Sequence, residues 1–242
     1  MSTISRFISG KDGVGKSTVT ALVGEQLALM GRKVLIIEFE DGLKCLDVFV
    51  GATQSKVFDL NDVLNGKCEI NDAIASSTLS DNLDVIYSSY DKKQIDTEQF
   101  STLVLALSEN YDHILIDSDC SDSAVDSLSG IAMNSIVVST ADLMGCRDTK
   151  YLCDRLYGQS VPSVRVLFNR VRRDYIADGL TNNLDEAMDM IGTPIIGAVP
   201  EKADILRCTC RGLLPDKNSI TFKIFRAIAM RIDGETVPLV II

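Results

Sequence analysis

The run Gly10-Lys11-Asp12-Gly13-Val14-Gly15-Lys16-Ser17-Thr18 limits the fold of this chain more than any other feature. A short strand pattern precedes it at 4–9, and an apolar helical stretch follows at 18–30, closed by Gly31. A strand that turns through glycines into a helix aims several backbone N–H groups at one point, beside the positive end of the helix. The spacing G-x-x-x-x-G-K-[ST], met by Gly10, Gly15, Lys16 and Ser17, adds an ammonium for the outer phosphates and a hydroxyl for Mg²⁺. In this context the run predicts a nucleotide phosphate loop.

The rest of the chain alternates in the way such a loop requires. Residues 33–39, 83–87, 111–117, 135–140, 164–168 and 194–199 read as strands. Residues 97–110, 123–133, 142–157, 175–191 and 219–232 read as helices, and 42–75 holds two or three short amphipathic segments. Strands separated by helices predict an α/β fold, a single-domain P-loop NTPase with a mostly parallel sheet and helices on both faces. A chain of 242 residues suits one such domain, expected over 1–232, with a short apolar tail at 233–242. Pro238 argues against a helix in that tail, which is expected as an edge strand or laid in a surface groove. Apolar residues make up 46% and aromatics only 6%, so the core should be aliphatic. Ligands of such sheets sit beyond the carboxyl ends of the strands, so the loops after residues 9, 39, 117, 168 and 199 should converge.

The formal charge of −10 opposes strong non-specific DNA binding, which needs several phosphate contacts. The densest basic group, Arg165, Arg170, Arg172 and Arg173, reads either as a solvated loop or as a partner surface. No apolar run reaches the ~20 residues that span a bilayer. An odd set of seven cysteines and no signal-peptide pattern predict reduced thiols and a cytoplasmic location.

Lys11, straight after the first glycine, narrows the reading. The stretch SGKDGVGKST resembles the MinD/ParA family of deviant Walker A ATPases. So do VLIIEFEDGLKCLDVFVG, YDHILIDS, VLFNR and IIGAVPEKADILRCTCRG, with the likeness strongest to the MinD branch. The resemblance implies ATP or ADP bound with Mg²⁺, and an ATP-dependent homodimer in which Lys11 reaches the nucleotide of the partner subunit. Gly10, Asp12, Gly13, Val14, Gly15 and Thr18 would surround the phosphates with Lys11, Lys16 and Ser17. Ser17, Asp117 and Glu38 would hold the magnesium, and Glu40 would orient the attacking water. Asn169 would bond the adenine edge, with Pro200 and Glu201 beside it. The implied function is a slowly hydrolysing switch that positions the septum, a flagellum, pilus machinery or DNA with a protein activator or cargo adaptor. Direct membrane binding is not expected, because no basic amphipathic helix follows the last core helix.

The chain departs from the family at three places. Asp12 replaces a glycine; a carboxylate ~6 Å from a phosphate charge costs roughly 3 kcal/mol at an effective dielectric of ~20. If that position needs positive φ, Asp tolerates it better than most residues. Glu38 and Glu40 replace aspartates, and a misplacement of ~1 Å can cost ~10²-fold in rate. Ser118-Asp119-Cys120-Ser121 replaces the usual switch loop. These changes favour slow turnover, or alternatively a nucleotide-locked scaffold. A third alternative, a metal-insertion ATPase, rests on Cys208 and Cys210 in the loop after the last strand, where small filler residues are the competing reading. Cys146 and Cys153, seven apart on one helix, and His113, within a strand, read as packing residues.

Overall fold

The computed structural model describes residues 2–39, 45–52, 57–88, 96–118, 130–131 and 134–240. Runs dominated by Val, Ile and Leu form the strands β1 (Thr3–Ile8), β2 (Val34–Phe39), β4 (Leu83–Ile86), β5 (His113–Ser118), β6 (Asn134–Ser139), β7 (Ser163–Val171) and β8 (Ile195–Pro200). With β3 (Ala75–Ser76) they make an eight-stranded sheet of order β3-β4-β2-β5-β1-β6-β7-β8. Only the β3–β4 pair is antiparallel. The helices are α1 (Lys16–Leu29), α2 (Leu46–Phe49), α3 (Leu60–Leu64), α4 (Ile70–Ala73), α5 (Thr97–Leu107), α6 (Leu143–Gly158), α7 (Arg173–Ala177), α8 (Leu184–Ile191), α9 (Ala203–Arg211) and α10 (Ile220–Ile232).

The period-2 direction of side chains divides each strand between two cores. Phe7, Ile36, Leu115, Val138 and Leu167 face α1 and α10. On the other face Ile8, Val137, Val166 and Phe168 pack with α6 and α8, while Leu35, Ile37, Ile114 and Ile116 pack with α5. Helix α1 lies close to the sheet because Gly24 allows it: a Cβ there would stand 2.8 Å from Ile36 Cδ1. Wedged between sheet and α10, α1 encloses even Glu25 and Gln26, whose side-chain polar atoms have no hydrogen-bond partner among the described residues. Burial pushes the Glu25 carboxyl well above the usual range.

The sheet reverses its order beside β1, which has β5 on one side and β6 on the other. A crevice opens at such a switch point, and the glycine loop leaves β1 there.

The sequence reading needs four corrections. The stretch 175–191 is not one helix: Gly179 turns the chain at φ +69°, and Asn183 starts α8 with a capping box to Glu186. Asn169 does not follow its strand but lies inside β7, which continues through a bulge where Arg170 takes φ +56°. Cys208 and Cys210 are on α9 and not in a loop; Cys208 is buried and Cys210 exposed, so the two point apart. The short edge strand β3, where the segment read as amphipathic pieces ends, was not expected. The condition set for Asp12 is not met, because position 12 carries no positive φ.

Other expectations hold. Cys146 and Cys153 are fully buried on α6, and His113 is a packed strand residue bonded to Asp233 at 2.9 Å. After α10 the chain runs through 235–240 without regular structure; Arg231 donates to the carbonyls of Val237 and Pro238, and Val240 packs on the core. The helix expected at 123–133 lies almost wholly outside the described residues.

Candidate functional site

The loop is shaped by its own glycines. Gly13 and Gly15 sit at φ +75° and +91°, a region that L-residues with a Cβ enter at a cost of roughly 1–2 kcal/mol. Gly15 is the N-cap of α1, and no side chain caps that helix or adds an acid to its first turn. The first N–H groups of a 14-residue helix therefore point outward unsatisfied by its own side chains, beside a positive dipole end. The Ser9 hydroxyl donates to the Lys11 carbonyl at 3.0 Å and fixes the start of the turn. Asn169 on β7 fixes its end: Nδ2 donates to the Val14 carbonyl at 2.7 Å. The fit is tight, since a Cβ on Gly15 would lie 2.4 Å from that same Nδ2. A Cβ on Gly10 would meet the Asp148 backbone at 3.1 Å.

Two acids hold the two lysines. Lys16 Nζ lies 2.7 Å from Asp117 Oδ1 at the end of β5, and the side chains are only 8% and 1% exposed. The Thr20 hydroxyl approaches the same oxygen at 3.4 Å. Asp117 Oδ2 is buried with no hydrogen-bond partner among the described residues. Lys11 turns to Asp142, the N-cap of α6, at 3.4 Å. Burial opposes ionisation of Asp142, but hydrogen bonds from Thr140 and the Gly145 N–H and the charge of Lys11 outweigh it, holding its pKa below the usual carboxylate value.

Beside Asp117, in register on β2, stands Glu38, buried, with Oε2 accepting from the Ser88 N–H at 3.4 Å and from its hydroxyl at 3.5 Å. Cys45, opening α2, lies beside Ser17; burial first, then Glu38 and Asp117, push its thiol up to about 11. It stays neutral at physiological pH. The donors at this point are thus hard oxygens from Ser17, Asp117 and Glu38, and the partnerless Asp117 Oδ2 is the kind of atom that a hydrated magnesium ion would satisfy.

Next to the loop a pocket of about 290 Å³ is lined by Gly15, Thr18, Asn169, Arg170, Pro200 and Glu201, with Leu206 and Thr209 from α9 closing it. Strand ends β7 and β8 thus carry their residues to the side of the phosphate loop, as a nucleoside would require.

The fold therefore gathers Gly10, Gly13, Val14, Gly15, Lys16, Ser17, Thr18, Glu38, Asp117, Asn169, Pro200 and Glu201 around one crevice. Asp12 sits on the loop but faces solvent. Glu40 and residues 119–121 lie outside the described residues. Sequence reasoning passed over Thr20, Cys45, Ser88 and Asp142. Only Cys45 had a local signal, its place in the stretch that follows β2; the others reach the site by tertiary contact. Among the described residues no three or more His, Cys, Asp or Glu side chains gather into a metal site, and none surrounds Cys208.

The family model described as the CobQ/CobB/MinD/ParA nucleotide binding domain matches residues 6–215. A putative septum site-determining protein MinD from Emiliania huxleyi is 33% identical over 99% of this chain and 90% of its own length. The MinD of the MinC:MinD cell division complex from Aquifex aeolicus superposes with a TM-score of 0.88 at 28% identity, covering 98% of both chains. The septum site-determining protein MinD of Pyrococcus horikoshii, solved with Mg-ADP, shares the fold at a TM-score of 0.83 and 24% identity over 96% of both chains. The phosphate loop, the sheet order that places it and the match across nearly the whole sequence agree: the chain belongs to the MinD/ParA family of P-loop nucleotide-binding proteins.

Proposed function

We propose that this protein is a MinD-like ATP switch that hydrolyses slowly, dimerises with ATP and acts in placing the division site. The observation that carries the reading is the buried Lys16–Asp117 pair at the mouth of an uncapped helix. Without nucleotide, the lysine that the phosphates need is held by the carboxylate that the metal needs. Incoming phosphates offer Lys16 a stronger anion, and its departure gives Asp117 both oxygens for the metal's water shell. Magnesium, when bound, supplies positive charge to the β- and γ-phosphates. Ser17 and Asp117 would hold it, with Glu38 beside them.

Hydrolysis attaches a water oxygen to the γ-phosphorus, breaks its bond to the β–γ bridging oxygen, and yields ADP, phosphate and a proton. Lys16 and the loop N–H groups neutralise charge on the leaving side. Glu40 orients the attacking water, and its extra carbon relative to aspartate accounts for slow turnover. Lys11 leaves Asp142 and joins the nucleotide of a second copy. The septum role is favoured over flagellum, pilus machinery or DNA because the MinD relatives span the whole chain. A protein activator or cargo adaptor fits a switch of this kind, as MinC pairs with MinD in the Aquifex complex.

The test is oligomeric state by light scattering with ADP and with ATP, alongside steady-state phosphate release. A monomer with ADP, a dimer with ATP and slow release are expected. A monomer in both states, or fast release without a partner, would sink the reading.

A further inference from the structure

The basic group Arg165, Arg170, Arg172 and Arg173 does not form one surface. Arg172 is paired with Asp174 and stacks over Tyr175, and Arg170 lines the nucleoside pocket. Arg165 is near the opposite end of β7, where a cavity of about 280 Å³ opens between the strand starts and the end of α10.

That cavity has an unusual charge. It is lined by Arg165 and Arg231, with Thr3, Asn134 and Ser163 adding neutral donors. The chain carries 34 acids against 24 bases, yet among the described residues no carboxylate pairs with either arginine. Asp233 also lines the cavity, but its oxygens are taken by Arg32 at 2.9 Å and His113 at 2.9 Å. Arg231 is fixed in place, donating to the Ile196 carbonyl at 2.8 Å and to two tail carbonyls. Burial first, and then the charge of Arg165, pull Arg231 below the ordinary arginine value. Arg165, exposed at the mouth, and Arg231, half-buried and held rigid, set two like charges at one cavity, and an anion between them would relieve their repulsion.

We propose that this cavity is a second anion site, distinct from the phosphate loop, that takes a phosphoryl group between Arg165 and Arg231. Arg165 can offer phosphate oxygens its planar guanidinium in a bidentate fashion, Arg231 adds charge and the N–H groups that its carbonyl partners leave over, and the hydroxyls of Thr3 and Ser163 extend the donor set. The group comes either from a free phosphate or from a phosphorylated lipid headgroup.

The test first fills the α- and β-phosphate positions of the loop with Mg-ADP, and the Arg165→Gln variant then separates the second site from phosphate bound at the open γ position. Inorganic phosphate is then titrated during thermal unfolding, against chloride at equal ionic strength. The wild type should show a saturable rise of roughly 3–6 °C at about tenfold excess over the dissociation constant. Arg165→Gln should lose that rise, keep its Mg-ADP affinity, and unfold at a higher temperature than wild type in chloride alone, because the repulsion is gone. In a parallel arm, vesicles of phosphatidylcholine with and without phosphatidylinositol phosphate are sedimented with the protein. Selective sedimentation lost in Arg165→Gln supports the site with a lipid source. Equal responses to phosphate and chloride with no vesicle selectivity, or a phosphate response retained in Arg165→Gln, would overturn the proposal.

Discussion

Replacing Asp117 by Asn separates the two roles given to that carboxylate, holding Lys16 without nucleotide and holding the metal with it. Asn keeps the shape and removes the charge. Lys16, only 8% exposed, then loses the carboxylate 2.7 Å away while its other contacts remain. Breaking one side of a buried ion pair costs about 3–5 kcal/mol. The remaining contacts of Lys16 soften the loss, so the lower end, about 3 kcal/mol, is the expected value. For a chain of this size each kcal/mol moves Tm by about 2–4 °C, so the nucleotide-free variant should unfold roughly 6–12 °C below wild type. ADP without magnesium should restore much of the difference, because its phosphates give Lys16 a replacement anion. Adding magnesium should then stabilise the variant far less than it stabilises wild type. Calorimetric scans of both proteins in the three states read this directly. An equal deficit in all three states, or none in the nucleotide-free state, would refute the exchange of Lys16 between Asp117 and phosphate.

Gly15→Ala should cost about 1–2 kcal/mol for the left-handed φ, plus about 1 kcal/mol as Asn169 gives up its bond to Val14, and should weaken nucleotide binding at least tenfold by calorimetry. Because the new Cβ strikes Asn169 itself, Asn169→Ala should cost less in the Gly15→Ala background than alone, and a double-mutant cycle of unfolding energies checks that sign. Glu25→Leu should stabilise the protein at neutral pH by about 1–3 kcal/mol, the desolvation cost of a buried polar group without a partner. The folded pKa of Glu25 is raised, so its contribution is intact below the unfolded value of ~4.3 and is lost as pH climbs from there toward the folded value. Denaturant titrations across that range should show wild-type stability falling with pH more steeply than the variant's.

What could be read from the sequence was local or periodic. The phosphate loop is both: Gly13 and Gly15 encode the turn by their own φ, and the helix behind them is rich in apolar residues and buried on nearly every side. Buried parallel strands such as β2 and β5 announce themselves because neither face needs polar residues. The break between α7 and α8 was written in Gly179 and the Asn183–Glu186 box, but the apolar spacing of 175–191 hid it. Helix α9 was hidden differently. Its sequence ADILRCTCR buries only Ile205, Cys208 and Thr209, too few to mark a helix without the neighbours that cover them. The partners of the site residues were beyond reach, because Ser88 meets Glu38 and Asp142 meets Lys11 only through sheet order.

That sheet order also explains the charge balance of the site. Strand β1 delivers the loop, and its two neighbours each deliver one acid: β5 ends in Asp117, and β6 runs into Asp142 at the head of α6. The two lysines of the loop are therefore drawn to opposite sides before any nucleotide arrives. The pairs differ in environment. Lys11 and Asp142 are 37% and 34% exposed, and such a pair contributes about 0–1 kcal/mol, so water and salt can release Lys11 at little cost. Lys16 and Asp117 are sealed from water, and only another anion at the same spot can compensate for separating them. On the proposed reading, phosphate is therefore needed to release Lys16, whereas Lys11 needs no such replacement. Lys11, held weakly at the rim, is left available for whatever closes over the crevice.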